Sequence, residues 1–321
     1  TALHLTLLGL GIGRGDEVVV PAFTWVATAN MVVACGAMPV FVDVRADTYT
    51  IDAATLARAV TARTRAVIAV HLFGLCADMD AVKAVLPAGV AVVEDAACAA
   101  GAAYRGIPAG MLGTAGCFSF HPRKSITCGE GGMVTTADAA LAARIERLRN
   151  HGAAVPEETR ARGLRPYELP DFEEIGFNYR MTDLQAAVAL AQLAKLDRFI
   201  TERRRLAARY DALLAGLPWI RPPVVPQGCD HAWQAYVTLI DPETAPLPRD
   251  AILERLHAQG IACRPGTHAV TRLGAYRGRY NAVAGGFPVA DRLHAWTLAL
   301  PLHNRMSETD VDTVVAALRA L

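Results

Sequence analysis

The chain has 321 residues, of which 53% are hydrophobic and 20% are charged, and its formal net charge is +1. This length allows two domains, and the composition is that of a soluble globular protein with a large core. The balanced charge gives no basic surface for nucleic acid or an anionic membrane. No apolar run reaches the roughly 18 residues that a membrane span needs.

The cysteines indicate the compartment. All seven are scattered along the chain, and no two of them form a CxxC pair. An odd number without such spacing argues against a disulfide framework and against a zinc site. No signal-peptide pattern opens the chain, because Thr1 leads directly into an amphipathic helix pattern. We therefore predict reduced thiols, no bound metal and a cytoplasmic location.

From residue 18 to about residue 136, short apolar runs alternate with helical patterns. Strands are predicted over 18–21, 39–44, 66–72, 91–96, 116–120 and 132–135, with helices over 25–34, 53–60 and 77–85. Continuous apolar strands separated by helices predict an α/β fold with a mainly parallel sheet flanked by helices. Ligands of such sheets bind beyond the carboxyl ends of the strands, so residues directly after strands are functional candidates.

The remaining elements predict a second unit. A helix is predicted over 138–149, and the aperiodic stretch 156–171 is predicted to be an exposed loop. The strongest helix pattern runs from 182 to about 217, with Thr182 and Gln185 spaced as a capping box. A strand over 233–240 and helices over 249–259 and 307–321 follow. We expect a large domain over residues 1–217 and a smaller C-terminal α+β domain over 218–321.

The segment 116–132 carries the strongest chemical signal. Only three lysines occur in the chain, and Lys83 and Lys195 fall on helix patterns that are typical of solvated surface charges. Lys124 instead follows an apolar strand and precedes a glycine-rich turn. A desolvated amine loses its proton readily and can form a Schiff base with an aldehyde. Ser119, five residues earlier, could bind a phosphate.

Two further strand ends carry candidate residues. The apolar run 91–97 contains Glu94 and Asp95, and a carboxylate there could keep a pyridine nitrogen protonated. A helix cap or a loop ion pair is the alternative. Neighbouring strand residues point to opposite faces, so only one of the two should face a site. Trp25 follows another strand and could stack on a flat ring, although core packing explains it equally well.

Several runs together resemble one family. GDEVVVPAFTWVATAN, PVFVDV, VEDAACAAGA, GCFSFHPRKSITCGEGGMVTT and FNYRMTDLQAA closely resemble the sugar aminotransferases of the DegT/DnrJ/EryC1/StrS family, a fold-type-I group that uses pyridoxal 5'-phosphate (PLP). They cover nearly all of residues 1–215, and DHAWQAYV, RPGTHAV and LPLHN extend the match less sharply. The resemblance implies PLP as cofactor. It also implies ping-pong transfer of an amino group, usually from glutamate, to a keto group of a nucleotide-linked sugar.

The resemblance also implies roles for single residues. Lys124 would form the Schiff base with PLP and act as general acid and base, and Asp95 would pair with the pyridinium nitrogen. Trp25 would stack on the ring, and Ser119 would bind the phosphate. Asn178 would reach the phosphate of the neighbouring subunit's cofactor, which implies a homodimer with shared active sites.

The chain departs from the family pattern in two places. Cys98 stands near the ring hydroxyl, where the family usually has Gln or His. Thr1 and Ala2 are all that remain of a phosphate-binding turn, so we expect that an N-terminal segment of the family is absent from this sequence. Candidate substrate contacts are three loop histidines without metal spacing, namely His121, His231 and His268.

Alternative functions differ at the lysine or in the substrate. Relatives that act as sugar 3-dehydratases carry His in place of the lysine, and Lys124 argues against that reaction. A PLP enzyme acting on a non-nucleotide cyclic ketone stays open, because the substrate pocket falls in the weakly matching part. A regulatory PLP-binding homologue without turnover stays open as well.

Overall fold

The computed structural model describes residues 1–154, 167, 169, 171–280 and 286–321. The strands described in it are β1 (Glu17–Pro21), β2 (Phe23–Thr24), β3 (Met38–Val42), β4 (Thr64–Val70), β5 (Ala91–Asp95), β6 (Ala103–Tyr104), β7 (Ile107–Pro108), β8 (Ala115–Ser119), β9 (Gly132–Thr135), β10 (Ile220–Arg221), β11 (Cys229–Asp230), β12 (Tyr236–Ile240), β13 (Arg264–Pro265), β14 (His268–Ala269) and β15 (Thr297–Leu300). The helices described in it are α1 (Ala2–Gly9), α2 (Ala27–Ala34), α3 (Ala53–Ala59), α4 (Met79–Ala84), α5 (Ala139–Arg149), α6 (Asp183–Leu193), α7 (Leu196–Leu214), α8 (Arg249–Ala258), α9 (Pro288–Trp296) and α10 (Glu308–Arg319).

The largest sheet confirms the predicted α/β fold. Its strands lie in the order β3-β1-β4-β5-β8-β9. The first five are parallel, and β9 pairs antiparallel with β8. Strands β1 and β4 are buried along almost their whole length, which is why they read as continuous apolar runs. All six predicted strands of this region are present, with ends that shift by no more than two residues.

Helix ends follow their capping residues. Asp52, Asp78 and Asp138 each accept a backbone hydrogen bond at the start of α3, α4 and α5. Thr182 and Gln185 form the predicted capping box of α6. Helix α1 is present as expected, but it is not amphipathic, because its residues 3–7 are all buried.

The predicted single helix over 182–217 is wrong. The chain forms α6 and α7, which are separated at Ala194 and Lys195. The Lys195 amide donates to the Gln192 carbonyl, three residues back instead of four, so the turn tightens and the α-helix ends there. Apolar residues continue across this break at Leu193 and Leu196, so the periodic pattern did not reveal it.

A second sheet lies in the C-terminal part, with strand order β10-β12-β15-β13. All of its pairings are antiparallel, and side chains from α7, α8 and α10 bury one face of it. The predicted strand over 233–240 begins only at Tyr236, since Trp233 has a φ of 51°. The boundary between residues 217 and 218 falls between α7 and β10 and stays a prediction. The predicted loop over 156–171 lies outside the described residues, apart from Tyr167, Leu169 and Asp171.

One small pairing positions the functional region. Strand β14 pairs antiparallel with β2, with His268 opposite Thr24. This pairing brings residues 264–269 beside the carboxyl ends of the large sheet's strands. Within the described part of the chain, no helix has the length and apolar character that crossing a bilayer requires.

Candidate active site

A cavity of about 580 Å³ opens at the carboxyl ends of β4, β5 and β8. The first turn of α1, the loop after β8 and the segment around β13 complete its walls. Eight of the predicted site residues line this single cavity, namely Thr1, Ala2, Trp25, Asp95, Cys98, Ser119, His121 and Lys124. The structure therefore brings together residues that are up to 123 positions apart in sequence.

Asp95 is the carboxylate that faces the cavity. It is the last residue of β5 and is only 7% exposed. Thr28 Oγ1 donates to Asp95 Oδ2 at 2.8 Å, and the Ala97 amide donates to Asp95 Oδ1 at 3.2 Å. These two bonds fix the orientation of a carboxylate that could meet the ring nitrogen of a pyridine cofactor.

Glu94 points to the opposite side of β5 and is fully buried. It accepts hydrogen bonds from the amides of Gly110, Leu112 and Gly113 at 2.6–2.7 Å, and from His71 Nε2 at 2.8 Å. Burial raises the pKa of Glu94, but the hydrogen bonds and the nearby His71 outweigh it and hold the pKa below its ordinary value. Glu94 therefore anchors the loop before β8 and does not take part in the cavity.

Lys124 lies half-buried in the loop after β8. Its Nζ donates to Cys98 Sγ at 3.2 Å, so the amine sits inside the cavity and not in bulk water. The loop is fixed from within, because the Lys124 amide donates to the His121 carbonyl at 2.9 Å and the Arg123 amide donates to His121 Nδ1 at 3.2 Å. An amine held in this way can react with an aldehyde cofactor.

The turn around residue 234 fixes the same loop from outside. Gln234 Nε2 donates to the Arg123 carbonyl oxygen at 2.9 Å. Arg203 on α7 is buried and donates from Nη1 to the carbonyl oxygens of Trp233 and Gln234 at 2.9 and 3.2 Å. Burial lowers the pKa of Arg203 to about 10. The second sheet therefore helps to position the Lys124 loop through this turn.

An exposed aromatic ring and a polar end complete the cavity. Trp25 is 55% exposed, and its ring lies 5.6 Å from the His268 ring, between centroids. Ser119 borders the first turn of α1, whose leading amides have no partner within the helix. Hydroxyl groups and helix N-termini bind phosphates. An amine, a carboxylate, an open aromatic face and a phosphate-binding end in one cavity fit PLP.

The comparisons with known proteins agree with this geometry. The profile of the DegT/DnrJ/EryC1/StrS aminotransferase family matches residues 1–319. The chain belongs to this family. DesV from S. venezuelae, solved in complex with a ketimine intermediate, is 38% identical, with a TM-score of 0.87 over 99% of this chain and 81% of DesV.

Two other solved structures extend the comparison. A DegT DnrJ EryC1 StrS aminotransferase from Brucella abortus is 34% identical, with a TM-score of 0.88 over 99% of this chain and 83% of that one. The PLP form of Spr1654 from Streptococcus pneumoniae is 28% identical, with a TM-score of 0.89 over 99% of this chain and 84% of that one. The chain is a PLP-dependent sugar aminotransferase.

Three predicted site residues of this family member do not line the cavity. Asn178 is exposed in the turn before α6 and pairs through its backbone with Asn150. His231 is buried, and its Nδ1 accepts from the Trp233 amide at 2.7 Å. Burial, with the charge of Arg204, lowers the pKa of His231 to about 3. The ring is therefore neutral and packs in the core. The His268 ring contacts the ring of Trp25, which does line the cavity.

Several lining residues were not predicted. His71 directly follows β4 and could have been found by the rule that residues after parallel strands border the site. Arg123, beside Lys124 in the same loop, lines the cavity as well. Gln234 and Arg264 come from the second sheet, and only tertiary packing brings them to the cavity. Within the described ranges, no group of three or more His, Cys, Asp or Glu side chains is placed to hold a metal ion.

Proposed function

We propose that this aminotransferase moves an amino group from glutamate to a keto group of a nucleotide-linked sugar, with PLP held on Lys124. One observation carries the proposal: the Lys124 amine and the Asp95 carboxylate face the same cavity at the carboxyl end of the parallel sheet. PLP supplies an electron sink when bound. Asp95 would keep the ring nitrogen protonated, and Trp25 would cover a face of the ring.

Lys124 has a second task in this proposal. As a free amine inside the cavity, Lys124 Nζ could carry a proton to or from the substrate. The contact between Nζ and Cys98 Sγ gives the free amine a defined position inside the cavity. Ser119 and the first turn of α1 would hold the phosphate, which fixes the ring relative to the amine.

The experiment is a substrate panel. We expect the purified protein, incubated with PLP and glutamate, to aminate at least one nucleotide-linked keto-sugar, with the amino sugar detected by mass spectrometry. Free cyclic ketones and other amino donors belong in the same panel. Turnover of a free cyclic ketone alone would mean that the substrate is such a ketone and not a nucleotide-linked sugar. PLP binding without any turnover would support a regulatory homologue.

We further propose a homodimer whose two sites each use residues of both chains. Helix α6 has no buried residue, although it carries apolar side chains. Leu184, Leu190 and Leu193 are 82%, 69% and 54% exposed, and Ile175 nearby is 89% exposed. An exposed apolar surface of this kind is typical of a contact with another chain. It supports an interface next to Asn178, the residue proposed to reach the neighbour's cofactor.

Subunit mixing tests the shared sites. A Lys124→Ala chain and an Asn178→Asp chain should each be inactive, the second because a carboxylate at 178 repels the cofactor phosphate. A mixed dimer has one site with both defects and one site with neither, so mixing should restore part of the activity. Confirmed subunit exchange without any rescue would place Asn178 at the site of its own chain.

A cytoplasmic location is part of the same proposal. All seven cysteines are free in the structure. Three of these thiols are buried and four are partly buried. Unpaired thiols are typical of a reducing compartment. Fractionation of the cells that produce the protein tests this location.

A further inference from the structure

Two arginines border the cavity from distant parts of the chain. Arg123 directly precedes Lys124 in the loop after β8, whereas Arg264 begins β13 in the second sheet. Both residues are exposed in part and belong to the lining of the same cavity. Their common position depends on how the two sheets pack, so neither sequence segment indicates a pair.

Neutral groups hold both residues in place. The Gln234 amide fixes the backbone of Arg123, and Arg264 Nη1 donates to the Gly266 carbonyl oxygen at 2.9 Å. In the part of the chain that the structure describes, no carboxylate pairs with either guanidinium. A carbonyl orients a guanidinium without cancelling its charge. Both positive charges are therefore available to an anion that enters the cavity.

The positive charge of Arg123 acts on Arg264, which lines the same cavity. Partial burial by the cavity walls lowers the pKa of Arg264, and the positive charge of Arg123 lowers it further, although Cys98 opposes this effect. Cys98 contacts Lys124 Nζ, and both residues line the same cavity as Arg264. Like charges that line one cavity repel each other, and an oxyanion bound by both guanidiniums would offset that repulsion.

The two carboxylates that line the cavity, Asp95 and Glu130, do not pair with Arg123 or Arg264. Asp95 is held by Thr28 and the Ala97 amide at the end of β5. Glu130 is exposed, and its Oε1 lies 3.9 Å from His121 Nε2. The arginine pair is thus left for a group that comes from outside the chain.

We propose that Arg123 and Arg264 form an oxyanion subsite for the substrates of the enzyme. The inference rests on the proposed function, in which an amino acid and a nucleotide-linked sugar occupy one cavity in turn. A planar guanidinium binds a carboxylate or a phosphate through two parallel hydrogen bonds. The oxyanion is therefore a carboxylate of the amino donor or the diphosphate of the acceptor, and these two sources share the same chemistry.

Calorimetric titration of the PLP-loaded enzyme distinguishes the sources. Glutarate stands for the donor carboxylates and inorganic pyrophosphate for the diphosphate, and saturating PLP keeps its own phosphate site filled. The variants are Arg123→Gln and Arg264→Gln. Arg255→Gln is the matched control, because Arg255 is exposed on α8 and does not line the cavity.

We expect each cavity variant to bind at least one probe roughly tenfold to hundredfold more weakly, as the loss of a charge-assisted hydrogen bond implies. The control should bind both probes as the wild type does. A loss for glutarate alone assigns the subsite to the donor, a loss for pyrophosphate alone assigns it to the acceptor, and a loss for both assigns it to each in turn.

Two results would overturn the subsite. One is unchanged binding of both probes by both variants, with PLP absorbance as in the wild type. The other is a wild-type enzyme that binds neither probe. Failure of the proposed function gives a different result, since a wild type that binds the probes would then aminate none of the nucleotide sugars.

Discussion

On the cavity side of β5, Asp95 accepts two hydrogen bonds, from Thr28 Oγ1 and from the Ala97 amide. On the other side, Glu94 accepts four, from His71 and from three amides of the loop before β8. Asp95 keeps a face toward open space, whereas Glu94 has its lone pairs occupied by the protein. Strand alternation separates two adjacent carboxylates into one that is available for chemistry and one that holds the fold.

The cavity side should govern turnover. We expect Asp95→Asn to fold normally and to lose activity by roughly 10²–10³-fold, because a neutral amide no longer holds a proton on the ring nitrogen and charge-stabilising groups have this weight in catalysis. The measurement is kcat with a competent substrate, alongside thermal unfolding. Near-normal turnover would mean that another group meets the nitrogen.

The buried side should govern stability. We expect Glu94→Gln to lower the free energy of unfolding by about 3 kcal/mol, because the amide NH₂ of Gln faces donors and leaves buried amides without an acceptor. Urea unfolding measures this loss, and kcat per folded molecule should stay within about threefold of the wild type. A large fall in kcat with unchanged stability would assign Glu94 to the chemistry and break the division between the two faces.

Low pH should reduce the stability of the fold through Glu94, on the buried side of β5. The pKa of Glu94 is held below its ordinary value of 4.5, so its ionised form stabilises the folded state above that pH. This contribution is lost as the pH falls through the lower pKa of the folded state. We expect the wild type to lose more stability than Glu94→Gln as the pH falls from 5 to below the lowered pKa of Glu94. Parallel pH profiles of the two proteins would contradict the assignment.

The different roles of the two faces of β5 could be predicted from the sequence only in part. Buried parallel strands read as continuous apolar runs, so β1, β4, β5 and β8 were located, and Lys124 and Asp95 followed from their places after strands. The alternation rule required one of Glu94 and Asp95 to turn away, but the choice between them came from the family resemblance. The loop that occupies Glu94 could not be predicted, because its three amides carry no side-chain signal.

The second sheet was predicted less well for a physical reason. Strands β13, β14 and β15 have between two and four residues, and such short segments become strands only through their partners. Helix α9 was missed beside them. Arg264 reaches the cavity through these pairings, and Gln234 does so through the hydrogen bonds of Arg203 to the Trp233 and Gln234 carbonyl oxygens. Their roles therefore depend on contacts that periodicity does not encode.

The central claim is that PLP is held on Lys124. Borohydride reduction of the PLP-loaded protein fixes the cofactor on its lysine, and peptide mapping then identifies the residue. Lys83 on α4 and Lys195 between α6 and α7 are both exposed and lie away from the cavity lining, so they are internal controls. We predict the label on Lys124 alone. A label on Lys83 or Lys195, with Lys124 unmodified, would contradict the account.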